Sequence, residues 1–141
     1  MAIKKETVNW AYNGKQVLSI ADTPKDSISF IYRIDLLDGT NRYYYGRKTM
    51  VMPKYTSGIK KGISKGEYSW RSYTGSSVEL TKLIKENAPY KKTIIKFCFS
   101  KAETTYEETK NILCNGGLTD PKCFNFWIKA LVYSKHLKEN S

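Results

Sequence analysis

The chain has 141 residues, a length that suits one compact domain with a modest core. Its 40% hydrophobic and 26% charged residues exclude a disordered chain. Lys plus Arg is 24 against 13 for Asp plus Glu, and the resulting formal charge of +11 draws the chain toward polyanions, nucleic acid first among them.

Other classes are excluded by what is missing. Cys98, Cys114 and Cys123 are odd in number and widely spaced, which does not fit a secreted disulfide scaffold. No CxxC occurs and His136 is the only histidine, so a structural zinc site is not expected. The start, MAIKKETVNWAYNGK, contains no apolar h-region, and no apolar run approaches ~18 residues. The expectation is a cytoplasmic protein without a membrane segment.

Residues 8–20 alternate weakly around Asn13-Gly14, a hairpin turn signal, and residues 1–28 read as an N-terminal extension of the single domain 1–141. Asp22 to Ser27 is a polar connector around Pro24. Ser29 to Leu37, rich in Ile and aromatics, predicts a strand, Asp38-Gly39 a turn, and Arg42 to Lys48 a second strand, which together make a hairpin. Residues 49–75 are rich in Lys, Gly, Ser and Tyr with little periodicity, and read as a long basic loop of functional importance. Ser76 or Ser77 caps a helix over about 78–87, with Leu80, Leu83 and Ile84 facing inward. Thr93 to Phe99 predicts a third strand. Ser100 caps a helix running to about Cys114, stopped by Asn115-Gly116-Gly117. A last helix is expected between about Pro121 and Leu137. The order β-β-α-β-α-α predicts a small α+β fold.

The charge is concentrated. Between Arg42 and Lys82 stand nine basic residues against Glu67 and Glu79, so that segment carries +7 of the total. Tyr43, Tyr44, Tyr45, Tyr55, Tyr68 and Tyr73 lie among them. Basic groups neutralise phosphates, and tyrosines hydrogen-bond them or stack on bases. A Ser-His-Asp or Cys-His set finds little support with one histidine, and neither a P-loop nor a GxGxxG is present.

The hairpin carries Phe30-Ile31-Tyr32 on its first strand and Tyr44-Tyr45-Gly46 on its second. This pair resembles the two triads that name the GIY-YIG nucleases, with Phe30 in place of the leading Gly and Tyr45 in place of the central Ile. Cross-strand tyrosines by themselves are ordinary packing. The likeness extends much further. Trp10-Ala11-Tyr12-Asn13-Gly14-Lys15, the Arg47-Lys48 pair, Trp70 to Ser77 (WRSYTGSS), Tyr106 to Lys110 (YEETK), Phe124-Asn125 and Ser134 to Leu137 resemble, in order, a branch of phage SegE-like endonucleases. The likeness runs from about residue 8 to 138.

The resemblance implies a three-stranded antiparallel sheet flanked by helices, and hydrolysis of DNA phosphodiesters with one divalent ion, Mg²⁺ or Mn²⁺. It implies a phage protein, homing-type or directed against competing DNA, at work in the cytoplasm of an infected bacterium. Mg²⁺ keeps several waters and needs only one or two carboxylates, so a lone helical Glu suffices. Ala102, Tyr106 and Leu113 mark an apolar stripe. Glu107 then shares a solvated face with Glu103 and Lys110, while Glu108, beside Thr105 and Ile112, lies close to the buried side. Glu108 is therefore the candidate metal ligand, and the family motif aligned through Lys110 points to it as well.

By the same resemblance Tyr32 is the general base, Tyr44 orients water or phosphate, Gly46 lets the DNA backbone approach, and Asn125 supports the site. An unperturbed Tyr is a poor base at neutral pH, so nearby cations such as Arg47 and Lys48 must help it ionise, or its proton must pass on through water. The superfamily's Arg on the first helix has no counterpart between Val78 and Asn87; Arg47, Lys48 and Arg71 are substitutes, Lys48 foremost. Arg47, Lys54, Lys60, Lys61, Trp70, Arg71, Tyr73 and Ser76 are candidate nucleic-acid contacts, and His136 can touch phosphate. The partner expected is double-stranded DNA. With no room for a separate recognition domain, specificity must come from residues 49–75, the termini, a partner or a homodimer. The alternatives are a non-catalytic nucleic-acid-binding module on the same scaffold and an RNA-binding protein that stacks bases on its aromatics. The nuclease reading requires that the Tyr32 phenol and the Glu108 carboxylate face one groove, and it fails if they sit apart on opposite sides of the sheet.

Overall fold

The computed structural model describes residues 8–66 and 69–138. Strands β1 (Trp10–Tyr12), β2 (Lys15–Val17), β3 (Ser29–Leu36) and β4 (Tyr43–Thr49) are followed by β5 (Val51–Thr56) and β6 (Ile59–Lys65). Helix α1 (Val78–Lys85), strand β7 (Tyr90–Cys98), helix α2 (Lys101–Cys114) and the short α3 (Ser134–Lys138) complete the chain.

The main sheet has five strands, ordered β2-β1-β7-β3-β4, not the expected three. Its centre is the expected antiparallel trio β7-β3-β4. The N-terminal hairpin adds to it, because β1 pairs in parallel with β7 (Trp10 opposite Lys92) and drives Trp10 into the core, fully buried. The hairpin of residues 10–17 is therefore part of the sheet and not an appendage to it.

Alternation along the strands sorts the core into two layers. Phe30, Tyr32, Ile34 and Leu36 face one side, where they pack with Trp10, Trp70 and the α1 residues Leu80 and Ile84. Ile31, Arg33 and Asp35 face the other side, which α2 covers; there Tyr43, Tyr45, Ile112 and Cys123 cluster. Both helices begin at serine caps: Ser77 accepts from the Leu80 amide and Ser100 from the Glu103 amide.

Residues 49–75 are not a structureless loop. Val51–Thr56 and Ile59–Lys65 form a two-stranded ribbon separate from the main sheet, closed by Ser57-Gly58 with φ of 50° and 77°. Such a pair is the signature of a tight hairpin turn, and the sequence reading passed over it. The helix expected over 121–137 is also largely absent: only Ser134–Lys138 is helical. β4 is an edge strand whose outward backbone groups need partners. The chain at 122–124 supplies them in extended form, as Tyr43 donates to the Lys122 carbonyl (3.0 Å) and Phe124 donates to the Tyr43 carbonyl (2.8 Å). No helix among the described residues is long and apolar enough to cross a membrane.

Candidate active site

A cleft of ≈ 730 Å³ opens along the exposed edge of β4. Its lining includes Tyr32, Tyr44 and Tyr73, Arg47 and Glu108, and the strap from Phe124 to Lys129.

Tyr32 and α2 start from opposite faces of the sheet, yet both reach this cleft. The β3–β4 register sets Tyr32 directly opposite Gly46. A Cβ built on Gly46 would stand 2.3 Å from the Tyr32 hydroxyl and 2.4 Å from its Cζ. The phenol therefore lies across the strand where no side chain stands. This corrects the expected role of Gly46: the space it leaves belongs to Tyr32, not to a DNA backbone. A register shift between Ile31 and Tyr32 on the β7 side, a bulge of the kind that re-aims side chains, lies at the same point. Gly75 closes over the phenol from the other side. Its φ of +92° and the 3.1 Å and 3.3 Å that a Cβ would leave to Tyr44 and the Tyr32 hydroxyl both demand glycine.

Burial dominates the electrostatics of Tyr32. It pushes the phenol well above the usual tyrosine range, and Tyr44, Tyr73 and Glu108 push the same way. Tyr32 is thus a neutral phenol in this structure. The help expected from Arg47 and Lys48 is directed elsewhere. Arg47 donates to the Thr105 hydroxyl (2.6 Å) and stands 3.9 Å from the Glu108 carboxylate. Lys48 does not line the cleft; its ammonium lies 4.3 Å from the centre of the Tyr73 ring. Of the proposed substitutes for the missing helical Arg, Arg47 is the one that lines the cleft, while Arg71 is exposed on the turn before Tyr73. Tyr44 is raised by burial, against a hydrogen bond with Ser76 Oγ (3.0 Å) that favours its ionised form.

Glu107 is placed differently from the sequence reading. The stripe of Tyr106 and Leu113 is exposed, and the buried face of α2 carries Thr104, Glu107 and Ile112. Glu107 is not solvated; it is 7% exposed and lies between Lys96 Nζ (3.2 Å) and Lys110 Nζ (3.1 Å). Burial opposes its charge, but these two lysines prevail and hold it below the usual carboxylate range. With Oε1 toward Lys96 of β7 and Oε2 toward Lys110 of its own helix, Glu107 ties α2 to the sheet. Glu108 is half-buried, lines the cleft, and is raised by burial against the pull of Arg47.

Other candidates fall in three places. Trp70 is fully buried, its indole N–H donating to the Gly66 carbonyl (2.8 Å) while its own carbonyl accepts from Trp10 Nε1 (2.6 Å). It anchors the segment that carries Tyr73 and cannot stack on a base. Lys54, Lys60 and Lys61 are exposed on the β5–β6 ribbon. Asn125 takes part in strand pairing with its side chain: Oδ1 accepts from the Tyr45 amide and Nδ2 donates to the Tyr45 carbonyl, both 2.9 Å. His136 lies on the exposed α3, its ring against Tyr133.

Lys92 went unnoticed in the sequence. It is 2% exposed, donates to the carbonyls of Arg71 (2.9 Å) and Tyr73 (3.0 Å), and lies 4.3 Å from the Trp10 ring centre. Burial lowers it to about 8. A lysine inside a strand of alternating apolar residues was the available signal. The strap residues Phe126, Trp127 and Ile128 were also missed, although the aromatic run that contains them is plain in the sequence.

In a small α+β domain the cleft thus brings together the hairpin tyrosine Tyr32 and the helical carboxylate Glu108, the pair on which the sequence resemblance depends. Residues 10–128 match the family described as "Putative endonuclease segE, GIY-YIG domain", and the chain belongs to that family. Neither curated proteins nor solved structures gave a match.

Proposed function

We propose that this chain hydrolyses phosphodiester bonds of double-stranded DNA with one divalent cation, Mg²⁺ or Mn²⁺, held by Glu108. The observation that carries the reading is the shared cleft, which the half-buried Glu108 carboxylate, Arg47 and the tyrosines Tyr32, Tyr44 and Tyr73 line together.

The donors suit a hard, water-keeping ion. Among the described residues no group of three or more His, Cys, Asp or Glu is placed to hold a metal, which leaves no zinc-type set. Mg²⁺ needs one or two carboxylates, and Glu108 and Glu79 both line the cleft. Such an ion, when bound, neutralises phosphate charge and stabilises the leaving oxygen. Arg47 balances Glu108 and extends the positive wall toward the phosphate. Tyr44, steadied by Ser76, orients the phosphate or the attacking water. Tyr32 accepts a hydrogen bond from that water. It becomes a base only as it passes its own proton on, or when positive charge in the cleft offsets its burial. Lys54, Lys60, Lys61 and Arg71 contribute phosphate contacts outside the cleft. The resemblance of the sequence motifs to phage endonucleases supports a bacteriophage gene acting in the host cytoplasm, with homing or attack on competing DNA as its role.

The burial of Tyr32, 1% exposed, favours one competing reading, a module that binds DNA without cutting it. Incubation of supercoiled plasmid with the protein and Mg²⁺ separates the two. Nicked or linear product is expected, absent with a chelator and absent in a Glu108→Ala protein that melts at the wild-type temperature. Plasmid that is bound but stays intact in both Mg²⁺ and Mn²⁺ would establish the binding module, and full activity in Glu108→Ala would remove Glu108 from the chemistry.

A further inference from the structure

The β5–β6 ribbon has no role in building the cleft. It is a separate two-stranded sheet whose described side chains from Met52 to Gly62 are all exposed, Tyr55 and Ile59 by 62% and 60%. Between Val51 and Lys65 the chain has four lysines and no acidic residue. An exposed ribbon with apolar and aromatic side chains gains little from solvent alone, and its charge is complementary to a polyanion.

Its base is fixed. Met50, fully buried, donates its amide to the Ile28 carbonyl (2.8 Å) and accepts from the Gly66 amide (3.3 Å). Lys65 Nζ donates to the Pro24 carbonyl and the Ser27 hydroxyl, both 2.9 Å. Lys65 is therefore an anchor, and Lys54, Lys60 and Lys61 remain for a ligand. Tyr55 stands opposite Lys60, so the two share a face, while the register shift after Lys54 leaves Lys61 as an extra residue beside them.

We infer that this ribbon enters the major groove of B-form DNA, with Tyr55 and Lys60 toward the base edges and Lys54 and Lys61 toward the flanking phosphates. The inference rests on the reading of the cleft as a DNA site, and it adds the groove and the element that reads it. The major groove is about 12 Å wide and admits a two-stranded ribbon, whereas the minor groove, about 6 Å wide, does not. The link to the cleft is short. Tyr55 follows Gly46 by nine residues, which span at most roughly 30 Å, less than one turn of the duplex at about 34 Å. The ribbon therefore reads DNA within one turn of the phosphate in the cleft. A-form RNA has a deep, narrow major groove that closes this route.

The test is binding, measured by fluorescence anisotropy with a chelator present so that no cleavage intervenes. The triple variant Lys54→Ser, Lys60→Ser, Lys61→Ser should melt like wild type. It should bind duplex DNA at least about tenfold more weakly, with the salt slope reduced by about two, one for each of the phosphate-facing Lys54 and Lys61. Methylation of guanine N7, which crowds the major groove, should weaken wild type and leave the variant unchanged, while the minor-groove ligand netropsin should not displace wild type. Equal affinity of variant and wild type for DNA overturns the inference, as does an equal loss on DNA and on duplex RNA. Displacement by netropsin together with indifference to N7 methylation also overturns it. Plasmid cleavage that persists with an indifferent ribbon would leave the cleft reading standing, and a ribbon that binds without cleavage would do the reverse.

Discussion

Gly46 shows how one missing side chain organises the cleft. The Tyr32 hydroxyl occupies the position of an absent Cβ, and the ring lies flat across the edge strand. Gly46→Ala should therefore cost roughly 1–3 kcal/mol of stability, the range for overpacking a filled site, and should lower the melting temperature. Tyr32→Phe should not rescue it, because the ring carbon Cζ is itself 2.4 Å from the added methyl. Tyr32→Ala, which removes the ring, should cost less in the Gly46→Ala background than in wild type, although the emptied core site leaves both proteins less stable than wild type. A Gly46→Ala protein that melts like wild type would mean that Tyr32 does not lie across the strand. The placement of Tyr32 against Gly46 was not readable from the two triads, which fix only that both stand on one hairpin. The β3–β4 register and the bulge after Ile31 decide where the phenol goes, and the bulge depends on β7, more than sixty residues away in sequence.

The segment from Ser69 to Ser77 acts as an element although it has no regular structure. Trp70 seats it in the core, Lys92 ties down the carbonyls of Arg71 and Tyr73, and Gly75 lets it close over Tyr32 and Tyr44. Trp70→Ala should thus destabilise the fold by about 3–5 kcal/mol, seen in chemical denaturation. A Trp that stacked on DNA would instead leave stability intact and weaken binding, and that outcome would return Trp70 to the surface. The strands and helices of the core were legible because each repeats one period: Ser29–Leu36, Tyr43–Thr49, Val78–Lys85 and Lys101–Cys114 lie within a few residues of their expected limits. The ribbon was missed because its lysines, glycines and serines hide the alternation, and its turn, Ser57-Gly58, is a weaker signal than Asn-Gly. The Pro121–Leu137 region failed for a tertiary reason. The open edge of β4 takes up the chain at 122–125 in extended form and completes the pairing with the Asn125 amide. The choice between Glu107 and Glu108 rested on an apolar stripe that turned out to be the exposed one. The two lysines that neutralise Glu107 made its burial tolerable, and one of them, Lys96, comes from a strand that no helical pattern can reveal.

At the scale of the whole molecule, charge acts in two opposite directions. A formal +11 on 141 residues is self-repulsive in the folded state, and the ribbon lysines and Arg47 keep much of it at the surface. Added salt shortens the screening length from about 30 Å at 0.01 M to about 8 Å at 0.15 M. Repulsion between surface cations should then weaken, and the melting temperature should rise with salt over that range. The pairs of buried Glu107 with the exposed Lys96 and Lys110 are partly shielded on the glutamate side and should weaken less than pairs between exposed charges. DNA affinity should move the other way, because each phosphate contact releases counterions whose return is favoured by salt. The same titration, followed by thermal melting without DNA and by anisotropy with it, therefore predicts curves of opposite slope. If both fall together, salt is damaging attractive ion pairs that the fold depends on, and the excess charge is internally balanced. If the melting temperature rises while affinity stays flat, the excess is ordinary surface charge, and neither the cleft nor the ribbon binds the duplex through its phosphates.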